Sequence, residues 1–229
     1  MVPAASWLRP TRGLTAMDYL GDHQDYGQQA LDEAHLHSDP LQQFSLWLSE
    51  AEQAGIFEPN AFVLGTVSAE GKPTARTVLL KGVNADGFFF ATNYQSRKGH
   101  DIAEGAAVSM VFGWYSQYRQ VLVEGFAARV EPAESDAYFD TRPRDSQISA
   151  WASAQSQPVA NRATLDGLYE ERRQQFAQGD IPRPEFWGGY RIVPTRIEFW
   201  KGRSNRMHDR IEFTRLGPEA PWSVRRLQP

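Results

Sequence analysis

Cysteine is absent from the 229 residues, which excludes disulfides, thiolate metal sites and cysteine nucleophiles and suits a reducing, cytoplasmic setting. No apolar run approaches the ~20 residues that a membrane-spanning helix needs. The opening MVPAASWLRPTRGLTA lacks the apolar centre of a secretory signal and reads as a disordered lead, with Met17 a second candidate start. No G-x-S-x-G, P-loop or G-x-G-x-x-G occurs, so the usual signatures of serine hydrolases, P-loop enzymes and Rossmann dehydrogenases are missing. The five histidines, at 23, 35, 37, 100 and 208, show no metal-ligand spacing beyond the His35 and His37 pair in a loop, and no metal site is expected. An excess of one charge is lacking too. The 24 basic and 28 acidic side chains leave a net charge of -4, which argues against a general binder of nucleic acid or anionic membrane. An anionic ligand therefore needs a local basic pocket. Neither an internal repeat nor a low-complexity tract is found.

What is present suits a soluble globule, since 41% hydrophobic and 12% aromatic residues are ample for a core. Residues 1–37 read as a flexible N-terminal segment and 38–229 as one domain. Leu41, Phe44, Leu48 and Ala51 share one helical face over 39–54, with Asp39 as N-cap and Pro40 in the first turn. Short β-prone runs follow at 61–68, 75–82, 88–93, 107–114 and 120–130. The turns AEGKP and NADG predict that the first three form a meander, and a sheet so built tends to close as a barrel. Ser96 caps a short helix to about Glu104; helices are expected over 133–153, broken at Pro143, and over 160–178. A strand over 190–200 and a last one within 211–227 complete a mainly β fold with flanking helices.

Three arginines and a histidine crowd the segment EFWKGRSNRMHDR at 198–210, beside Trp200. Guanidinium forks, a stacking face and a titratable imidazole suit a flat, anionic, ring-bearing ligand, although a basic turn around Gly202 and Asn205 has the same composition. Arg76 and Lys81 flank TVLL, and Arg97 and Lys98 follow the next hairpin. On one strand residues 76 and 81 point to opposite faces, so they serve two neighbouring anions or are solvated strand ends. RPRDS at 142–146 follows Tyr138 by one helical turn, which either converges a phenol, a guanidinium and a serine hydroxyl on a phosphate or pairs Arg144 with Asp145. Such a residue set binds a phosphorylated cofactor and leaves the hard chemistry to it.

RTVLLK at 76–81, TNYQSRKG at 92–99, RPRDSQISAWAS at 142–153, FWGGYR at 186–191 and RMHDR at 206–210 occur in order. Together they resemble the pyridoxine/pyridoxamine 5′-phosphate oxidase family, over about Asp39 to the C-terminal RLQP. The resemblance implies an antiparallel FMN-binding split β-barrel and a homodimer with FMN at the interface. It implies cofactor contacts at Arg76, Thr77, Val78, Leu79, Leu80, Lys81, Ala91, Thr92, Arg97, Lys98, Gln120, Gln155, Ser156, Trp200 and Arg210. The substrate phosphate falls to Lys81, Tyr138, Arg142 and Ser146, and Arg206 and His208 bracket the substrate ring as the catalytic pair. The implied reaction passes a hydride from C4′ of pyridoxine or pyridoxamine 5′-phosphate to flavin N5, with O2 reduced to H2O2 and pyridoxal 5′-phosphate formed. A split-barrel flavin reductase and a non-catalytic FMN- or pyridoxal-phosphate-binding protein are the competing readings.

Three departures from the family pattern bear on this. HQDY at 23–26 stands where an arginine pair commonly precedes a tyrosine able to fold over substrate, which puts a lid role for Tyr26 in doubt. Ala91 replaces a common tyrosine and Gly113 a common proline. None of these removes a cofactor-binding charge, and FMN binding is expected to survive.

Overall fold

Period-two burial from Ala61 onward builds strands with one face inward, and the computed structural model, which describes residues 25–27 and 29–229, joins them in one antiparallel sheet. The strands are β1 (Ala61–Val67), β2 (Pro73–Leu79), β3 (Gly82–Asn84), β4 (Gly87–Asn93), β5 (Ala107–Trp114), β6 (Arg119–Arg129), β7 (Trp187–Lys201), β8 (Asp209–Thr214) and β9 (Ser223–Leu227). Their order is β2-β1-β5-β6-β7-β4-β3, with β8 on β7 and β9 on β8. β2 and β3 end this path yet are separated in the chain only by Leu80 and Lys81, so the sheet curls until its ends approach, giving a split barrel.

β1 and β2 form the expected hairpin, but the three-strand meander does not occur: β4 pairs with β3 and β7 instead. The reason lies at residues 80 and 81. The Leu80 amide donates to Asn60 O and the Lys81 amide to Phe89 O, each at 2.8–2.9 Å, so the chain crosses from one edge of the curled sheet to the other. The stretch 211–227 likewise supplies part of one strand and all of another, β8 and β9, rather than a single last strand.

β7 is the spine. Along one edge it pairs first with β4, over Trp187–Ile192, and then with β8, over Arg196–Lys201, while β6 lines the other edge from Tyr190 to Lys201. Pro194, which has no amide to donate, sits at the changeover, and β6 shifts register opposite it between Glu124 and Gly125. A Cβ on Gly125 would lie 2.2 Å from Val193 O, so this close crossing needs glycine.

The barrel is filled with aromatic rings. α1 (Pro40–Gln53) begins where the Asp39 carboxylate accepts the Leu41 amide, and it lays Phe44 on Phe88 and Phe112 at centroid distances of 5.0 and 4.7 Å. Trp47, against Phe199, takes the inward place, while Leu48 is only partly buried. A helical lobe of α3 (Pro132–Asp140), α4 (Arg144–Ala152) and α5 (Arg162–Gln175), with the expected break at Pro143, closes a second small core around Phe139, Ile148 and Trp187. α2 (Arg97–Gly105) starts at Ser96, whose Oγ accepts the Gly99 amide. Residues 29–36 run along the β7–β8 end, where the Leu31 amide donates to Asp209. No helix among the described residues is long and apolar enough to cross a membrane.

Candidate active site

A cleft of about 850 Å³ opens between β2, β4, the start of α2 and the α3–α4 junction. Arg76, Thr77, Val78, Leu79, Lys81, Ala91, Thr92, Arg97, Lys98, Tyr138, Arg142, Ser146, Gln155 and Ser156 all line it. Arg76 and Lys81 therefore share one cleft, contrary to the opposite-face expectation. Strand alternation ends at Leu79, and the crossing at Leu80 redirects Lys81. Leu80 itself turns inward, buried in the aromatic core.

Two of the cleft's cations, Lys98 and Arg142, have no carboxylate partner. The Lys98 ammonium is buried and donates to Thr92 Oγ1 at 3.2 Å, Gln155 Oε1 at 3.0 Å and Ser96 Oγ at 3.4 Å, all neutral oxygens. Burial, and then the nearby Arg76 charge, push its pKa down to about 8. The Arg97 amide donates to Ser156 Oγ at 3.2 Å, and Ser156 accepts this from a left-handed backbone, φ 74°. On the opposite wall Arg142 stacks its guanidinium over the Trp187 ring at 4.4 Å, and its Nη1 is buried with no hydrogen-bond partner. Burial lowers the Arg142 pKa and raises that of Tyr138, whose ring lies parallel to Trp187 at 6.1 Å. A buried N–H left without an acceptor costs about 1–3 kcal/mol, a penalty that an anion bound at this wall would relieve. Arg144 and Asp145 do not pair with each other. Arg144 donates to the carbonyls of Phe176 and Gly179, and Asp145 accepts from Tyr169 OH, so they tie α4 to the α5 end.

The remaining candidates stand elsewhere. Gln120, Trp200 and Arg210 are directly opposed on β6, β7 and β8 and so form one row on one sheet face. Arg210 is already clamped, its Nε and Nη2 donating to the buried Glu198 carboxylate at 2.7 and 3.1 Å, which raises its pKa. The turn that follows β7 carries Arg206, with Asn205 and Arg206 both left-handed at φ 57° and 59°. His208 packs on Trp200 at 4.8 Å, and its Nδ1 accepts the Arg203 amide at 3.1 Å. Burial and Arg206 lower the His208 pKa, so the neutral ring carries its proton on Nε2 and presents a donor. None of Gln120, Trp200, Arg206, His208 and Arg210 is among the residues that line the cleft. One chain thus does not bring the two groups into one pocket.

Sequence reasoning gave no role to Trp187, the platform under Arg142 and Tyr138, or to Thr74, Asn93 and Thr141, which also line the cleft. The FWGGYR run held the available signal: a Cβ on Gly188 would lie 2.1 Å from Tyr94 OH, so the glycines let this strand press close beside the tryptophan. Tyr26 packs on His208 at 5.6 Å and Tyr118 at 4.7 Å, while His23 and Gln24 lie outside the described residues. At Gly113 the Tyr115 ring occupies the space a side chain would need, at 2.6 Å from its Cβ position. Among the described residues no cluster of histidines and carboxylates could hold a metal.

The profile of a family described as pyridoxamine 5′-phosphate oxidase matches residues 48–176, and that of a pyridoxine 5′-phosphate oxidase C-terminal dimerisation region matches 187–229. The chain is 49% identical over 212 residues to the pyridoxine/pyridoxamine 5′-phosphate oxidase of Rubrobacter xylanophilus, covering 93% of this chain and 97% of that protein. With the enzyme of the same name from Bacteroides thetaiotaomicron it shares 47% over 206 residues, 90% and 96% of the two chains. Among solved structures it is similar to PhzG from Burkholderia lata, in complex with tetrahydrophenazine-1-carboxylic acid, at TM-score 0.82 and 28% identity over 89% of this chain and all of that one.

Proposed function

The chain belongs to the pyridoxamine 5′-phosphate oxidase family, and from that premise we propose that its cleft carries two anion grips side by side, one for the FMN phosphate and one for the substrate phosphate. Its activity is the FMN-dependent oxidation of pyridoxine 5′-phosphate and pyridoxamine 5′-phosphate to pyridoxal 5′-phosphate, and it is a homodimer through its C-terminal region. The observation that carries the site assignment is the pairing of Lys98, bound only to neutral oxygens, with Arg142, whose buried Nη1 is unanswered, across one cleft. Two such cationic walls fit two phosphates. Arg76, Arg97 and Lys98, with Thr92, Gln155 and Ser156, hold the cofactor; Lys81, Tyr138, Arg142 and Ser146 hold the substrate.

When bound, FMN would supply the two-electron acceptor for oxidation at C4′, with O2 as the final oxidant reduced to hydrogen peroxide. The protein's own part is placement and charge. Arg142 fixes the phosphate end of the substrate, and Arg206 and the Nε2–H of His208 hold the ring end, so that C4′ cannot drift. The Gln120–Trp200–Arg210 row and the Arg206–His208 turn reach the cleft from the second subunit, with FMN at the interface. Exposed Val63, Val67 and Phe126 lie on the same sheet face as Gln120 and offer apolar area for that contact. We place this work in a single domain over 38–229 and in the cytoplasm, in keeping with a cysteine-free chain.

Anaerobic titration of the FMN-loaded protein with pyridoxine 5′-phosphate tests the reading. The visible flavin band should bleach and then recover in air, with pyridoxal 5′-phosphate formed. An unchanged spectrum with flavin tightly bound would contradict it, and bleaching only by a nicotinamide donor would point to a flavin reductase.

A further inference from the structure

α2 presents Lys98 to the cleft and, one turn later, buries Asp101 at 5% exposure against β1 and β2. At the cleft's edge, which Thr74 lines, Thr66 and Thr74 are a directly opposed cross-strand pair, their hydroxyls 3.1 Å apart. Asp101 Oδ2 accepts from Thr66 Oγ1 at 2.6 Å and from Thr74 Oγ1 at 3.1 Å. A carboxylate only accepts, so both hydroxyl protons are drawn toward it and the lone pairs of both oxygens are left facing away. Arg76 uses them: Nη1 donates to Thr66 Oγ1 at 2.7 Å and to Leu64 O at 3.1 Å, and Nη2 donates to Thr74 Oγ1. Arg76 Nη2 and Asp101 Oδ2 are 3.7 Å apart, an ion pair beyond hydrogen-bond reach, so the hydroxyls make the hydrogen-bonded link between the two charges. Arg97 and Lys98 crowd the same end of the cleft with like charge, and no neutral acceptor would oppose their push on the guanidinium as Asp101 does.

We propose that Asp101 is a positioning residue for the cofactor phosphate, aiming the Arg76 guanidinium through the ordered hydroxyls of Thr66 and Thr74. This rests on the assignment of Arg76 to the phosphate grip made above. Asparagine at 101 can still turn its amide oxygen to the hydroxyls, but it removes the charge that strengthens those bonds and opposes Arg97 and Lys98, freeing Arg76 to turn. The effect must therefore appear only for ligands that carry the phosphate and only while Arg76 is present.

Flavin fluorescence titration with FMN and with riboflavin, which has the same ring and no phosphate, reads this directly. Asp101→Asn should weaken FMN about tenfold and leave riboflavin unchanged, the size expected for one charge-assisted contact. Thr74→Val, which keeps the carboxylate, should give a smaller loss with the same selectivity. In an Arg76→Met background Asp101→Asn should add nothing further. Equal losses for FMN and riboflavin, or an additive loss in that background, would overturn the proposal and make Asp101 a mere tie between α2 and the hairpin. If Arg76→Met alone leaves the preference for FMN over riboflavin intact, the phosphate-grip assignment falls, and this proposal with it.

Discussion

The two ends of β7 differ in how their cations are satisfied. At the Trp187 end, Lys98 meets neutral oxygens and Arg142 leaves a buried N–H unanswered. At the Trp200 end, Arg210 is held by both oxygens of Glu198, which also accepts from Arg196 at 2.6 Å. A buried charge met only by neutral oxygens, or a buried N–H with no acceptor, makes binding of an anion favourable, because the ligand removes a penalty the empty protein carries. Donors already paired gain little from a ligand but are fixed in direction, which suits them to orienting a ring. On the proposed assignment the cleft sets affinity and the far end sets geometry.

The sharpest way to break that division is Arg206→Leu. Turnover should fall about 100-fold, as for loss of one oriented donor at a reacting centre, while FMN affinity stays within about threefold. Steady-state rates beside flavin titrations check this, and equal losses in both would merge the two regions. Arg142→Met comes next. It should raise KM for pyridoxine 5′-phosphate about 30-fold and leave FMN affinity unchanged, since it empties only the substrate grip.

The Lys98 pKa of about 8 gives a pH test of the cleft alone. Bound phosphate favours the charged ammonium, so above pH 8 binding must take up a proton, and FMN affinity should fall about tenfold by roughly pH 9.5. The empty protein should move the other way. Its Lys98 pKa is depressed below the unfolded value, so the unfolded state holds more protons above pH 8, and stability should rise as pH climbs through that window. Isothermal titration and thermal melts across pH, repeated with Lys98→Met, read both trends; a flat profile in the parent protein would remove Lys98 from the grip. The smallest effect is expected from Tyr26→Ala, which removes a ring packed on His208. KM should rise about threefold with FMN binding unchanged, the worth of one aromatic contact.

Local signals made much of this legible. Asp39, Ser96 and Pro143 mark helix boundaries by chemistry confined to a few residues, and each does in the structure what that chemistry predicts. The ordered motifs also placed most cofactor and substrate candidates in one cleft. What failed was non-local. β4 pairs with β7, a hundred residues on, because the chain crosses the curled sheet at Leu80 and Lys81, and no turn residue announces a crossing. The same crossing brings Arg76 and Lys81 together, because period-two reasoning holds only while the strand continues. Trp187 became a platform only once α3 folded Arg142 back over it from forty-five residues upstream. Asp101 falls in none of the motifs, because its partners come from β1 and β2, distant in sequence.

The central claim is that each site joins the cleft of one chain to the Trp200 end of the other. It is tested most directly by mixing two impaired variants, Arg142→Met and Arg206→Leu, denaturing them together, refolding, and assaying at substrate far below the KM of Arg142→Met. Shared sites give each mixed dimer one site with both lesions and one with neither, so about a quarter of wild-type activity should return at equal mixing. If each site lay within one chain, every site in the mixture would carry a lesion, and activity no higher than that of the separate variants would contradict the account.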